Sequence, residues 1–221
     1  MLHNRSFTNA FHPFGFLAET AARHLDEVDG AHDAAHLTRV WRNAQDILKQ
    51  VDDTVDMEVL VAACLLHDCV QVEKDSPLRN QASRLSAQKA REIVTPFHWS
   101  EPRMSNLDHA ISSHSFSAGI IPSSIEAKIL QDADRLDALG AVGVARCFFV
   151  SGRMGRPLYD LGDPCAERRE LDDVAFTLDH FEVKLLRLAG TFQTESGKAI
   201  AQARTKIMRA FVEEFVEEIG F

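Results

Sequence analysis

Three polar residues and one acidic run are spaced along this chain in a way that suits a metal ion. His36 lies in the segment HDAAHLTRV, His67 and Asp68 are adjacent in AACLLHDCV, and the run QDADRLD occupies residues 131–137. Imidazole nitrogens and carboxylate oxygens together bind divalent ions, among them manganese, magnesium, iron, nickel, cobalt and zinc. Because a bound ion of this kind activates water, hydrolysis is the chemistry that this donor set favours.

The composition indicates a globular protein of ordinary type. The chain has 221 residues, of which 45% are hydrophobic and 26% are charged. No run approaches the ~20 apolar residues that a membrane helix needs, and the first residues lack the layout of a secretory signal. The four cysteines are too few for a disulfide framework, so we expect them to be reduced. We therefore predict a cytoplasmic protein without a membrane partner.

The net charge restricts the partners. At -9 the chain carries a charge that disfavours broad contact with nucleic-acid phosphates, so duplex nucleic acid is not an expected partner. A few arginines and lysines around a metal can still create a local positive site. A small phosphorylated substrate is therefore compatible with the composition.

The hydrophobic periodicity is helical wherever it is clear, and no segment alternates as a strand does. We therefore predict an all-α protein. Its helices are expected at residues 14–28, 31–48, 57–68, 83–94, 104–114, 123–138 and 200–219. The segment 57–68 is apolar almost all round, which is typical of a central core helix.

A single helical domain over residues 1–221 is the simplest organisation. We expect a helical core at about 30–150, a glycine- and proline-rich loop or flap at about 151–165, and C-terminal helices at about 166–220. Gly140 and Gly143 loosen the helical pattern before the loop. The last helix is strongly amphipathic, so we expect its apolar face to pack either against the helical core or against a second copy of the chain in a homo-oligomer.

Helix geometry limits how the acidic run can bind an ion. Asp132 and Asp134 are two residues apart on one predicted helix, so their side chains point ~200° apart and only one can reach a given ion. The apolar face of that helix lies nearer Asp132, and the periodicity alone does not select between the two. By the same geometry, His67 and Asp68 point ~100° apart and share an ion only if it lies between their directions.

The motifs resemble those of a known family. His36, the pair His67-Asp68 and the later aspartate match the H…HD…D signature of the HD-domain superfamily of helical metal-dependent phosphohydrolases. The segments HDAAHLTRV, LLHDCVQVEK and ILQDADRLDALGAVGVAR are similar to those of its small bacterial members. The resemblance implies an HD-domain helical bundle with a C-terminal helical extension. Its A-D-x-L pattern places the fourth ligand at Asp134, beside His36, His67 and Asp68, around one divalent ion.

The same resemblance and the charge of the side chains suggest further roles. Arg39, Lys74 and Arg135 are expected to bind a substrate phosphate, since cations stabilise charge on phosphoryl oxygens. Asp68, Lys74 and His114 are the expected catalytic residues, and His114 could serve as a proton donor or as an additional ligand.

The motifs and the composition are compatible with several functions. The favoured one is hydrolysis of a nucleotide, by a nucleotidase or by a nucleoside triphosphate pyrophosphohydrolase. In a non-enzymatic alternative, the chain retains the metal and serves as a ligand-sensing or partner-binding module without hydrolysis. Cyclic-nucleotide phosphodiesterase activity is less favoured, because the closely spaced histidines of two-metal relatives are missing. The residues after Asp68 also lack the Glu-Asp pair of some alarmone hydrolases.

Overall fold

All regular structure in the described part of the chain is helical. The structure is a computed structural model that describes residues 2–24, 33–70, 72, 79–115 and 118–221. Within these ranges the α-helices are α1 Leu2–Ala10, α2 Gly15–Ala22, α3 Ala34–Leu48, α4 Met57–Leu66, α5 Ala82–Val94, α6 Glu101–His114, α7 Ile125–Asp137, α8 Gly140–Arg153, α9 Thr177–Val183 and α10 Glu195–Glu218. The prediction of an all-α protein is confirmed.

The chain divides into two compact units, residues 1–134 and 135–221. The boundary falls inside α7. The single-domain organisation proposed from the sequence therefore stays a prediction. No helix among the described residues combines the length and the apolar character that a membrane crossing requires.

In the first unit, α4 forms the centre of the core. Its eight residues from Val59 to Leu66 are all at most 2% exposed, and the helix contacts α2, α3, α5 and α6. The carboxylate of Asp56 caps its first turn by accepting a hydrogen bond from the backbone N–H of Val59. Because the helix is surrounded by other helices, an almost entirely apolar sequence is what its position requires.

α3 positions the first histidine. Asp33 caps this helix by accepting a hydrogen bond of 2.9 Å from the backbone N–H of His36. The buried residues then recur at spacings of three and four, from His36 through Leu37, Val40, Trp41 and Ala44 to Ile47. His36 is therefore the first member of the buried face and points into the unit.

In the second unit, α8, α9 and α10 enclose an aromatic cluster. The rings of Phe148, Phe181, Phe211 and Phe215 have centroid separations of about 6 Å. α10 begins at a Thr194 cap, whose hydroxyl accepts a hydrogen bond from the backbone N–H of Gly197.

Gly140 and Gly143, which loosen the helical pattern of the sequence, follow a break at residues 138–139 and lie in the first turn of a further helix. α8 starts at Gly140 and continues to Arg153, three residues into the predicted loop at 151–165. Gly140 has a φ of 71°, in the left-handed region that favours glycine. At Gly143 an added Cβ would collide with the carbonyl of Ala138. Both glycines thus make the tight entry into α8.

The other helix boundaries differ modestly from the predicted ones. α4 and α5 end or begin within two residues of the predicted positions. α1 was not predicted, because nine residues contain too few turns for a clear period. α9 lies within the region where C-terminal helices were predicted without individual bounds. The predicted first helix, 14–28, and the predicted start of the second at residue 31 fall partly outside the described residues.

Candidate metal centre

His67 is held at the carboxyl end of α4 with one ring nitrogen turned inward to the helix. Its backbone N–H donates to the carbonyl of Ala63 at 3.0 Å, and its Nδ1 lies 3.0 Å from the carbonyl oxygen of Cys64. Because a carbonyl can only accept, Nδ1 carries the hydrogen. In the neutral ring the lone pair is then on Nε2, and the fully buried imidazole presents it away from the helix.

Three other residues place atoms that could bind a metal ion close to this nitrogen. From Nε2 of His67 the distances are 3.3 Å to His36 Nε2, 3.5 Å to Asp68 Oδ2 and 3.7 Å to Asp134 Oδ1. His36 Nε2 is also 3.6 Å from the same oxygen of Asp134. We call His36, His67, Asp68 and Asp134 the donor cluster. The structure thus brings together the four residues predicted as metal ligands.

The spacing of these atoms around Nε2 of His67 fits a single divalent ion. Two ligand atoms that each lie about 2.1 Å from an ion, at angles of about 90–110°, are about 3.0–3.4 Å apart. The observed separations of 3.3–3.7 Å are only slightly larger. The two histidines are fully buried, whereas the side chains of Asp68 and Asp134 are 31% and 28% exposed. An ion could therefore reach the cluster from the carboxylate side.

His114 lies beside the donor cluster at the last residue of α6. Its Nε2 is 3.5 Å from Asp68 Oδ1, and its ring meets that of His67 edge-on with centroids 4.9 Å apart. His36, His67 and Asp134 form one group that could hold an ion, and His67, Asp68 and His114 form a second. Because the single lone pair of His67 Nε2 cannot serve two ions at once, the two groups are overlapping choices for one ion.

Burial and neighbouring charge change the pKa values of His67 and His114 in opposite directions. Burial lowers the pKa of His67 to about 4, although the charges of Asp68 and Asp134 oppose that change. Burial also disfavours the charged form of His114, but hydrogen bonding and charge from Asp68 raise its pKa above the ordinary value. His67 is therefore neutral near pH 7, as a metal ligand must be.

The remaining predicted residues are placed as follows. Asp132 is fully buried on α7 and is not among the grouped donors. Arg39 is half-buried on α3. Arg135 belongs to the second unit, where its guanidinium donates to the carbonyl and the hydroxyl of Thr191 at 2.6 and 2.9 Å. Lys74 lies outside the described residues. The phosphate-binding roles of Arg39, Lys74 and Arg135 remain predictions.

Sequence reasoning did not single out the polar side chains that support the cluster. Asn43 donates to the carbonyl of Ala133, and the hydroxyl of Ser86 bonds both backbone groups of Val70, two residues after Asp68. Neither residue type indicates chemistry on its own. The only available signal was position, since Asn43 follows His36 by seven residues and thus lies on the same face of α3.

Comparison with known proteins agrees with this geometry. The family model of the HD domain matches residues 33–139, which include the whole donor cluster and His114. The uncharacterized protein YpgQ of Bacillus subtilis (strain 168) is 33% identical over 199 residues, which are 88% of each chain.

Solved structures are similar over nearly the whole length. An HD-superfamily hydrolase from Bacillus thuringiensis has 30% identity and a TM-score of 0.68, with 92% of this chain and 96% of that chain covered. Bacillus subtilis YpgQ in complex with ADP has 28% identity and a TM-score of 0.67, with 92% and 97% covered.

Proposed function

Because this chain belongs to the HD-domain superfamily, in which similar structures are named hydrolases, we propose that it is a metal-dependent phosphohydrolase. Its proposed substrate is a small phosphorylated molecule, specifically a nucleotide. The observation that carries the proposal is that one imidazole nitrogen and two carboxylate oxygens lie 3.3–3.7 Å from Nε2 of His67.

The donor cluster suits hydrolysis by a metal-activated water. When bound, a divalent ion would lower the pKa of a water and polarise a phosphoryl oxygen. His36 and His67 would supply neutral nitrogen ligands from the buried side, while Asp68 and Asp134 would supply anionic oxygens from the exposed side. His114, 3.5 Å from Asp68, is in reach of the same side. We assign it to proton transfer or to support of Asp68.

A nucleotide is the substrate class that the comparisons favour. Bacillus subtilis YpgQ has been crystallised in complex with ADP, and that chain aligns with 92% of this one. The net charge of -9 disfavours a long polyanion. A short one needs only a few cations, and we propose Arg39, Lys74 and Arg135 for this role.

A hydrolysis screen tests the proposal. The purified protein would be stripped of metal and reloaded separately with manganese, magnesium, iron, cobalt, nickel or zinc. Nucleoside mono-, di- and triphosphates and cyclic nucleotides would then be supplied, with phosphate and pyrophosphate measured separately. We expect release of phosphate or pyrophosphate from a non-cyclic nucleotide. Pyrophosphate from a triphosphate would identify a pyrophosphohydrolase, and phosphate from a monophosphate would identify a nucleotidase.

A matched pair of histidine variants makes the screen specific to the site. His67→Ala should lower both metal content and hydrolysis, with hydrolysis reduced at least about 1000-fold. His24→Ala changes an exposed histidine in the same unit and should change neither. If the metal-loaded wild-type protein bound ADP and cleaved no nucleotide in the panel, the proposal would fail in favour of a ligand-sensing module.

A further inference from the structure

Two buried amide side chains donate hydrogen bonds to the backbone immediately beside the metal centre. Asn43 Nδ2 donates to the carbonyl of Ala133 at 2.9 Å, and Gln131 Nε2 donates to the carbonyl of Ser113 at 2.7 Å. Both amide side chains are at most 4% exposed. Ala133 directly precedes Asp134 and Ser113 directly precedes His114, so each bond restrains the backbone of a residue at the centre.

The two bonds connect the three helices that carry these residues. Asn43 lies two turns after His36 on α3, and its bond joins α3 to α7. Gln131 lies one turn before Asp134 on α7, and its bond joins α7 to α6. Together they fix the distance and the rotation of α7 with respect to the helices that carry the neighbouring ligands.

The hydrogen bond from Asn43 does more than give the carbonyl oxygen of Ala133 a partner. The carbonyl of Ala133 lies inside a helix that continues to Asp137, where the backbone of the helix itself supplies a donor. The fold therefore does not need the Asn43 amide to satisfy this oxygen. A directional bond from a second helix does, however, fix where Asp134 stands.

The bond of Gln131 acts at a helix end. The last four carbonyls of a helix have no partner within it, and a buried end needs side chains to supply donors. At the end of α6, Ser83 donates to the carbonyl of Ser112 at 3.0 Å and Gln131 donates to the next carbonyl. These bonds set the last turn of α6, from which His114 reaches Asp68.

We propose that Asn43 and Gln131 are positioning residues of the metal centre, whose amides hold Asp134 and His114 in place before an ion binds. The proposal rests on the proposed function in that it assumes a resident ion. It adds that affinity for the ion depends on two neutral residues that do not touch it. Groups that orient ligands commonly change metal affinity 10- to 100-fold when they are lost.

The test is metal affinity measured by competition with a chromogenic chelator, with manganese and cobalt as the probes. Asn43→Leu and Gln131→Met remove the donors and keep a similar side-chain volume. Each should weaken metal binding about tenfold and alter the visible absorption of the bound cobalt. Asn43→Ser, which is shorter and keeps a polar group, is the second variant if Asn43→Leu does not fold.

Asn106→Leu is the matched control. Asn106 donates to Glu126 at 2.9 Å in the same unit, and this bond does not adjoin the donor cluster. It should lower the melting temperature and leave metal affinity and the cobalt spectrum unchanged. The proposal is overturned if the Asn43 and Gln131 variants lose stability as this control does and bind metal as the wild-type protein does.

The measurement separates this proposal from the proposed function. A wild-type protein that binds metal without cleaving nucleotides would refute the function, while the affinities of the variants would still decide the positioning role. A wild-type protein that binds neither ion would refute both.

Discussion

Asp179 in the second unit and Asp134 in the first are both acids within a helical unit, but they face opposite kinds of partner. Asp179, 1% exposed, accepts two hydrogen bonds from Arg169 at 2.5 and 2.9 Å and one from the backbone N–H of Asp172 at 2.6 Å. Asp134, 28% exposed, lies 3.6 and 3.7 Å from the Nε2 atoms of His36 and His67.

The difference separates a charge that the chain itself compensates from one that can serve an added ion. The guanidinium of Arg169 provides both positive charge and hydrogens to Asp179. At the donor cluster the ring nitrogen of neutral His67 carries a lone pair, and it lies among oxygens that also accept. Atoms that all accept are brought together most favourably by a cation.

The sharpest test of this contrast replaces the two aspartates of α7, Asp134 and Asp132, one at a time by asparagine. Asp134→Asn should weaken metal binding by more than about 100-fold, beyond the range typical of residues that only support a ligand. Asp132→Asn should leave the affinity nearly unchanged, since Asp132 is not grouped with the donors. Isothermal titration with manganese measures both. Loss of binding in Asp132→Asn alone would show that the ligand assignment is wrong.

A second test uses the pH dependence of stability in the metal-free protein. The pKa of His67 is about 4 when folded and about 6.5 when unfolded. Between these values only the unfolded chain binds the proton, so the free energy of unfolding should fall as the pH is lowered from about 6.5 to 4. The loss expected from His67 is about 3 kcal/mol.

His67→Asn provides the comparison for that test, because its amide can still donate to the carbonyl of Cys64. Denaturant unfolding at several pH values should give a shallower loss for this variant. His114, whose pKa is raised, contributes with the opposite sign in both proteins. Parallel pH profiles for the two proteins would contradict the assignment of a neutral, buried His67.

The smallest expected effect is on stability and concerns the ion pair between Arg169 and Asp179. Arg169→Met leaves the buried carboxylate of Asp179 without its guanidinium, and we expect a loss of about 2–3 kcal/mol in the free energy of unfolding. Arg168→Met, at the exposed neighbouring position, should stay within about 0.5 kcal/mol. Metal affinity should not change in either variant. Weaker metal binding in Arg169→Met would mean that the Arg169–Asp179 pair and the donor cluster are energetically coupled.

Much of the fold was predictable because the sequence carries strong local signals. The apolar run of α4 and the period of α10 each indicate a helix directly. The bounds of α4 agree with the prediction within two residues, whereas α10 begins five residues before the predicted start. The short α1 and α9 offer too few turns to show a period. Gly140 and Gly143 weaken helix propensity, so the helical period fades where the backbone turns tightly into α8.

The candidate site was predictable in its residue types and less so in its geometry. His36, His67 and Asp68 follow from motif order, whereas the periodicity of α7 left Asp132 and Asp134 open and the family resemblance selected between them. The contact of Arg135 with Thr191 depends on a residue 56 positions away, which no local pattern reports. Asn43 and Gln131 are ordinary amides until the fold places a carbonyl in front of each.

The burial of residues 59–66 of α4 also bears on the rates at the metal centre. Amide hydrogens in such a helix exchange with solvent only when the whole unit opens, and His67 is anchored to the carbonyl of Cys64 within it. The carbonyl that holds its ring thus belongs to a stable helix, so we expect the ring to reorient more slowly than an exposed side chain does. Asp68 and Asp134 are part-exposed, and exposed side chains reorient within nanoseconds. The rates of entry and release of an ion should thus depend mainly on movement of the two carboxylates, while the imidazole of His67 stays in place.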